Sequence, residues 1–128
     1  MALKILSIVE SAYRATLEEQ DDPILWISHA LKGAGADITV LLRGNAVNYA
    51  VKGQDASGLS FGDKKQTHPP NLEHDLTSFA GKGVKVFIVQ DDVAERGLER
   101  TDLIDGLESI SRSKVAGMLN DYDQIWHW

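Results

Sequence analysis

The run Val84-Lys85-Val86-Phe87-Ile88-Val89 is short and mostly β-branched or aromatic, and only Lys85 breaks it. Gly81 and Gly83 stand just before it and read as a helix stop. That pattern describes a buried parallel strand, covered on both faces. The apolar character ends abruptly at Gln90-Asp91-Asp92. Either aspartate is placed to cap a short helix from Val93 to Arg96, which Gly97 would close. Open α/β sheets hold their ligands outside the carboxyl ends of the strands. The Gln-Asp-Asp triplet therefore falls where such a domain keeps its chemistry, and it offers two carboxylates and no thiol.

The rest of the chain alternates around this strand. Leu3 to Val9 reads as a first, central strand ending at Glu10-Ser11. Ala12 to Asp22 reads as loop or an irregular turn, with Tyr13, Arg14, Glu18 and Glu19 on the surface. Pro23 suits the first position of a helix capped by Asp22, with Leu25, Ile27, Ala30 and Leu31 as its buried face. Asp37 to Leu42 is a second strand, so strand, helix and strand form a right-handed crossover. Arg43-Gly44-Asn45 follows, then a short helix from Ala46 to Val51 in which Asn48 and Tyr49 interrupt the apolar pattern.

Gly53 to Pro70 is polar and rich in breakers, with Leu59 and Phe61 as apolar anchors. Stretches of this length tend to be lids, binding segments or oligomer contacts. Asn71 caps a helix from Leu72 to Ala80, with Leu72, Leu76 and Phe79 on one stripe. Beyond Gly97 come a weak strand at Leu107 to Ile110, a helix from Ser113 to Asn120, and a last strand from Gln124 to Trp128. Five strands alternating with helices imply an α/β, flavodoxin-like three-layer sandwich. Its five-stranded sheet would be mostly parallel, with helices on both faces.

A length of 128 residues suits a single domain, 1–128, with a core large enough to need no staples. No cysteine is present, which excludes disulfides, thiolate metal sites and thiol catalysis. A net charge of −6 with scattered cations argues against nucleic acid as a partner. No apolar run approaches the ~18 residues that span a bilayer, and the first residues lack the layout of a secretion signal. A cytoplasmic protein with no membrane partner is the expectation. No strand is followed by a Gly-rich phosphate loop, so no flavin, nucleotide or other cofactor is expected.

In this order and spacing the chain resembles the DsrE/DsrF-like family, which includes sulfur-relay subunits of the TusBCD type. The resemblance spans nearly the whole chain. It rests on the opening strand, the Leu42-Arg43-Gly44 turn with a short helix after it, and Gly83-Val84-Lys85-Val86. The Ala94-Glu95-Arg96-Gly97 helix end and the closing Asp123-Gln124-Ile125-Trp126-His127-Trp128 complete it. In sulfur-relay members a cysteine just after the strand matching Val84–Val89 carries sulfane sulfur as a persulfide. Its thiolate is stabilised at a helix N-terminus. By position Asp92 takes that cysteine's place, and a carboxylate forms no persulfide. The resemblance also implies a homotrimer or homohexamer with its site near a subunit interface. Other DsrE-family or sulfur-metabolism subunits are its implied partners.

Glu10, Arg43, Asn48, Asp91 and Asp92 are the residues expected to face a ligand at the carboxyl edge. The aspartates serve either as a carboxylate pair, one with a raised pKa, or as a helix cap and first-turn charge. Arg43 either binds an anion or pairs internally with Glu10 or Asp91. Trp126 and Trp128 share one face of the last strand, and with Phe61 they are assigned to a subunit contact; covering the sheet edge is the plainer alternative. His127 points opposite to them and reads as structural. His68 and His74 lack the spacing of a helical metal pair, and no metal is expected.

These readings converge on a non-catalytic, oligomeric binding or accessory subunit, related to sulfur-relay proteins but unable to carry persulfide. No residue is assigned a catalytic role. The alternatives are a small-molecule-binding protein with the Gly53–Pro70 loop as lid, or a hydrolase-type enzyme using Asp91 and Asp92.

Overall fold

A computed structural model describes residues 3–13 and 23–128. The expected Asp22 cap and the surface residues Arg14, Glu18 and Glu19 lie outside the described residues. The main sheet has five strands: β1 (Lys4–Val9), β2 (Asp37–Leu42), β5 (Val86–Val89), β6 (Glu108–Ile110) and β7 (Gln124–His127). All its pairings are parallel, and the order is β6-β5-β2-β1-β7. A small antiparallel hairpin, β3 (Ser60–Phe61) with β4 (Lys64–Lys65), stands apart from it.

The order determines which face each helix covers. From β1 the chain steps to β2, β5 and β6 in one direction, then returns to place β7 on the far side of β1. α1 (Pro23–Gly33), α2 (Leu72–Gly81), α3 (Gln90–Glu95) and the 3-10 turn Gly44–Ala50 share one core with the odd residues of β1. That core joins Ile5, Val9, Val40 and Val86 to Leu25 and Phe79. α4 (Arg112–Leu119) lies on the opposite face, where Leu6, Ile8, Leu41 and Val89 pack against Val115 and Met118. Because side chains alternate along a strand, near-continuous apolar strands are what two covered faces require.

Three local expectations are corrected. The buried stripe of α1 is Ile24, Leu25 and Ser28, while Ile27 and Ala30 are exposed. Ser28 is tolerated inside because its Oγ donates to the carbonyl of Ile24 at 2.8 Å, so the hydroxyl carries no unmet hydrogen bond. Tyr49 does not interrupt the apolar face of the 3-10 turn; it is fully buried, and its hydroxyl accepts the Tyr13 N–H at 2.5 Å. Leu59 and Phe61 do not anchor their loop but are exposed on it. Gln66 does that work with polar groups: its amide donates to the Ala56 carbonyl at 2.9 Å, and its backbone N–H donates to Leu59 O at 2.9 Å.

Other boundaries fall where residue chemistry puts them. The Asn71 side chain accepts the His74 N–H at 3.0 Å and so caps α2. Gly97, at φ +69°, follows α3 as a left-handed stop. There the Leu98 N–H bonds the Val93 carbonyl and the Gly97 N–H bonds the Ala94 carbonyl. α1 and α2 are joined by His29, which stacks flat on Phe79 at 3.8 Å and bonds the Asp75 carbonyl at 2.8 Å.

Phe79 is fully buried at this junction. Phe79→Ala is expected to lower unfolding stability by about 3–5 kcal/mol. Urea unfolding followed by circular dichroism checks this, with the midpoint falling and the slope unchanged.

Candidate functional site

β5 and β6 are neighbours whose chains leave their carboxyl ends in opposite directions. α3 continues from β5 onto the first face, and α4 continues from β6 onto the second. Divergence of this kind opens a crevice at a sheet's carboxyl edge. β5 passes into α3 with no intervening loop: Val89 is the N-cap, and Gln90 already belongs to the helix. Asp91 and Asp92 therefore do not cap α3, as the sequence suggested. They lie inside its first turn, where the helix dipole favours negative charge.

Both aspartates serve elements other than α3 instead. Asp91 Oδ1 accepts the backbone N–H of Arg112 at 2.8 Å, one of the donors that the start of α4 leaves without an intrahelical partner. Asp92 is only 6% exposed. Its Oδ2 accepts the Gly44 N–H at 2.8 Å, and its Oδ1 accepts from the Arg112 guanidinium at 2.5 Å. The same guanidinium nitrogen reaches Glu95 Oε1 at 2.8 Å. Arg96 completes the group, donating to the Asp92 carbonyl at 3.0 Å and to Asn45 Oδ1 at 2.8 Å. One carboxylate thus ties the start of α3 to the turn after β2 and to the start of α4.

This placement sets its charge. Burial pushes the Asp92 carboxyl up, but the Gly44 N–H, the Arg112 guanidinium and the nearby Arg96 together outweigh it and hold the group below the usual carboxylate range. Asp92 therefore carries no raised pKa of the kind general-acid chemistry needs at neutral pH; of the two alternatives, it behaves as a first-turn charge. Arg112 is held above its ordinary value by its bonds to Asp92 and Glu95.

Gly44 connects this clamp to a second cluster. Its φ is +56°, a left-handed conformation that favours glycine, and a Cβ there would also crowd Glu10 Cγ at 3.1 Å. Glu10 Oε1 lies 3.7 Å from Arg43 Nε, and Glu10 Oε2 is 2.6 Å from His127 Nε2. Arg43 pairs with Glu10, one of the two internal partners named for it. These groups are half-exposed, so the pairs add only a fraction of a kcal/mol each, on the order of 0–1. Asn48 is half-buried on the 3-10 turn, and its carbonyl accepts from the Gln54 amide at 2.8 Å.

Trp126 and Trp128 meet edge to face, with ring centres 6.5 Å apart. With Ile27 and Leu31 they line an apolar cleft of about 460 Å³ between α1 and β7. Trp128 is 38% exposed, Phe61 57%, and Trp26 of α1 61%. Among the described residues no three His, Asp or Glu side chains gather in a way that would hold a metal ion, and no helix is long and apolar enough to cross a membrane.

Arg112 is not among the residues the sequence points to, and Gly44, Glu95 and Arg96 enter there only through the family resemblance, with no site role. Arg112 stood between a weak strand and a helix start, and nothing in its neighbours announced a contact with a residue twenty positions earlier. His127 was read as structural; it bonds Glu10, a residue expected at the site.

The comparisons with known proteins agree with this fold. The model of the DsrE/DsrF-like family matches residues 11–127. The crystal structure of the ychN protein from E. coli is similar at a TM-score of 0.75 and 20% identity, covering 98% of this chain and 99% of that one. A protein of unknown function from Methanobacterium thermoautotrophicum, MTH1491, is similar at a TM-score of 0.61 and 13% identity, covering 97% of this chain and 98% of the other. At these identities the likeness to solved structures speaks for the fold. No curated protein is similar enough in sequence to count as a match.

A depressed folded-state pKa stabilises the fold above the unfolded value and loses that effect as pH falls through the folded value. Asp92→Asn is therefore expected to cost about 1–3 kcal/mol near neutral pH. The difference from the parent should shrink below about pH 4, where the unfolded carboxyl takes up its proton. Urea midpoints measured from pH 7 down to pH 2.5 check both parts.

Proposed function

This chain belongs to the DsrE/DsrF-like family, and we propose that it is a non-catalytic, oligomeric member, a binding or accessory subunit that holds partners together and carries no persulfide. The observation behind this reading is the Asp92 clamp. Sulfur-relay members place a thiolate just after the matching strand; this chain has no cysteine and places Asp92 there. That carboxylate is ionised, buried and bonded to Gly44 and Arg112. A carboxylate oxygen cannot hold sulfane sulfur, and one engaged on both oxygens is not poised to move protons. The same engagement speaks against a hydrolase that relies on Asp91 and Asp92.

We assign the chain to a homotrimer or homohexamer in the cytoplasm, with other DsrE-family or sulfur-metabolism subunits as candidate partners. Trp126 and Trp128, which line one apolar cleft, and the exposed Phe61 of the hairpin are the proposed contact residues. Glu10, Arg43 and Asn48 remain the proposed ligand-facing groups of the carboxyl edge.

Light scattering on a size-exclusion column tests the assembly. A trimer or hexamer is expected at micromolar concentration, and Trp128→Asp should shift it toward monomer. A parent chain that elutes as a monomer throughout would contradict the assignment. Exposure to a polysulfide donor should leave the intact mass unchanged, while Asp92→Cys, which restores a thiol at that position, should gain 32 Da increments (roughly one sulfur atom each) if the position matches the family's sulfur site.

A further inference from the structure

The divergence of β5 and β6 leaves an open cleft of about 510 Å³ on the face opposite α4. Its wall runs along α3 and the edge strand β6. Three polar side chains line it: Gln90 from the first turn of α3, Arg100 from the 3-10 turn Arg100–Asp102, and Ser109 from β6. Between them lies an apolar surface of Val93, Leu98 and Leu103, with the small Ala94 leaving room above it. The aspartates next to Gln90 are turned away, onto Arg112 and Gly44. So the residue of the Gln-Asp-Asp triplet that reaches this cleft is the neutral one.

The charge of the lining is unlike that of the whole molecule. The chain carries −6, yet the one ionisable group among the lining residues is a guanidinium. The carboxylates closest to it in sequence, Glu99 and Asp102, are occupied in a reciprocal capping box around the 3-10 turn; Asp102 Oδ2 accepts the Glu99 N–H at 2.8 Å. Arg100 is oriented by one bond of its own, from Nη2 to the Leu107 carbonyl at 2.9 Å. A guanidinium has five N–H donors, so one such bond leaves others to meet a ligand. An amide and a hydroxyl beside a guanidinium, over an apolar floor, match a ligand with one anionic end and one greasy end. The volume lies in the range of small-molecule sites.

We propose that this cleft binds a small organic monocarboxylate with an apolar body. Its carboxylate meets Arg100, with Gln90 and Ser109 as further donors, and its body lies on Val93, Leu98 and Leu103. The site is separate from the Asp92 clamp, and the proposal does not rest on the oligomeric assignment.

Benzoate is the probe, with benzyl alcohol and acetate as its uncharged and body-less counterparts. Titration of the full ¹⁵N-labelled chain, followed by amide shifts, reads affinity and place together. Benzoate should saturate with a dissociation constant of about 1 mM, as expected for so small a ligand in an open cleft. The shifts should centre on Gln90, Ala94 and Ser109, with both counterparts markedly weaker. Arg100→Gln should weaken benzoate about tenfold by removing the charge-assisted bond. Ala94→Phe, at an exposed helix position, should fill the cleft and abolish binding with the spectrum otherwise intact. No saturable response, equal binding of benzyl alcohol, shifts centred on the tryptophan cleft, or unchanged affinity in either variant would each overturn the proposal. Should Arg100→Gln fail to fold, the ligand comparison and Ala94→Phe still decide it.

Discussion

A carboxylate taken out of water must find donors or give up its charge. Asp92 solves this by recruiting a backbone N–H from the turn after β2 and a guanidinium from the start of α4. Those two elements lie on opposite faces of the sheet, and their strands are separated by β5. The ionised carboxylate is therefore the point where both layers of the sandwich are fixed to the carboxyl edge. Much of the local sequence follows from it. The left-handed backbone at Gly44, which favours glycine, points its N–H at Asp92, and Asp91 supports the same helix start through the Arg112 N–H.

The site's chemistry follows from the same placement. At the start of a helix, a thiol and a carboxyl are both favoured as anions, for the same electrostatic reason. They differ in what the anion can do next. A thiolate remains a nucleophile toward sulfur; a carboxylate with both oxygens bonded is a strut. The chain shares its fold with the ychN protein and MTH1491, and within it Asp92 ties the start of α3 to Gly44 and Arg112. Charge is also partitioned across the edge. Asp91, Asp92 and Glu95 are bonded to Arg112, and Arg100 looks into an open cleft.

The layered fold was legible because its signals are local. Val84–Val89, Asp37–Leu42 and Leu3–Val9 are apolar on both alternating sets of positions, which only a strand covered on both sides demands. Asn71 and Gly97 marked helix ends through their own backbone preferences. The buried face of α1 was misjudged because Ser28 looks polar in isolation, and only its bond to the Ile24 carbonyl makes it a core residue. The site was half legible. Strand polarity and the end of the β5 run located Asp91 and Asp92, and charge suggested the Arg43–Glu10 pair. Arg112 was hidden because its partners come from elements brought close by topology, and a lone arginine at a helix start carries no sign of them. Gln90 was overlooked for the opposite reason: its two charged neighbours drew the chemistry to themselves, yet their side chains turn to the clamp.

The most direct measurement is a double-mutant cycle between Asp92→Asn and Arg112→Gln, read as urea unfolding free energies at pH 7. If the carboxylate binds the two layers through Arg112, the two losses should be strongly non-additive, with a coupling of about 1–3 kcal/mol. Losses that add to within about 0.3 kcal/mol would mean that the pair does not act as a unit, and the clamp would not be what holds this edge together.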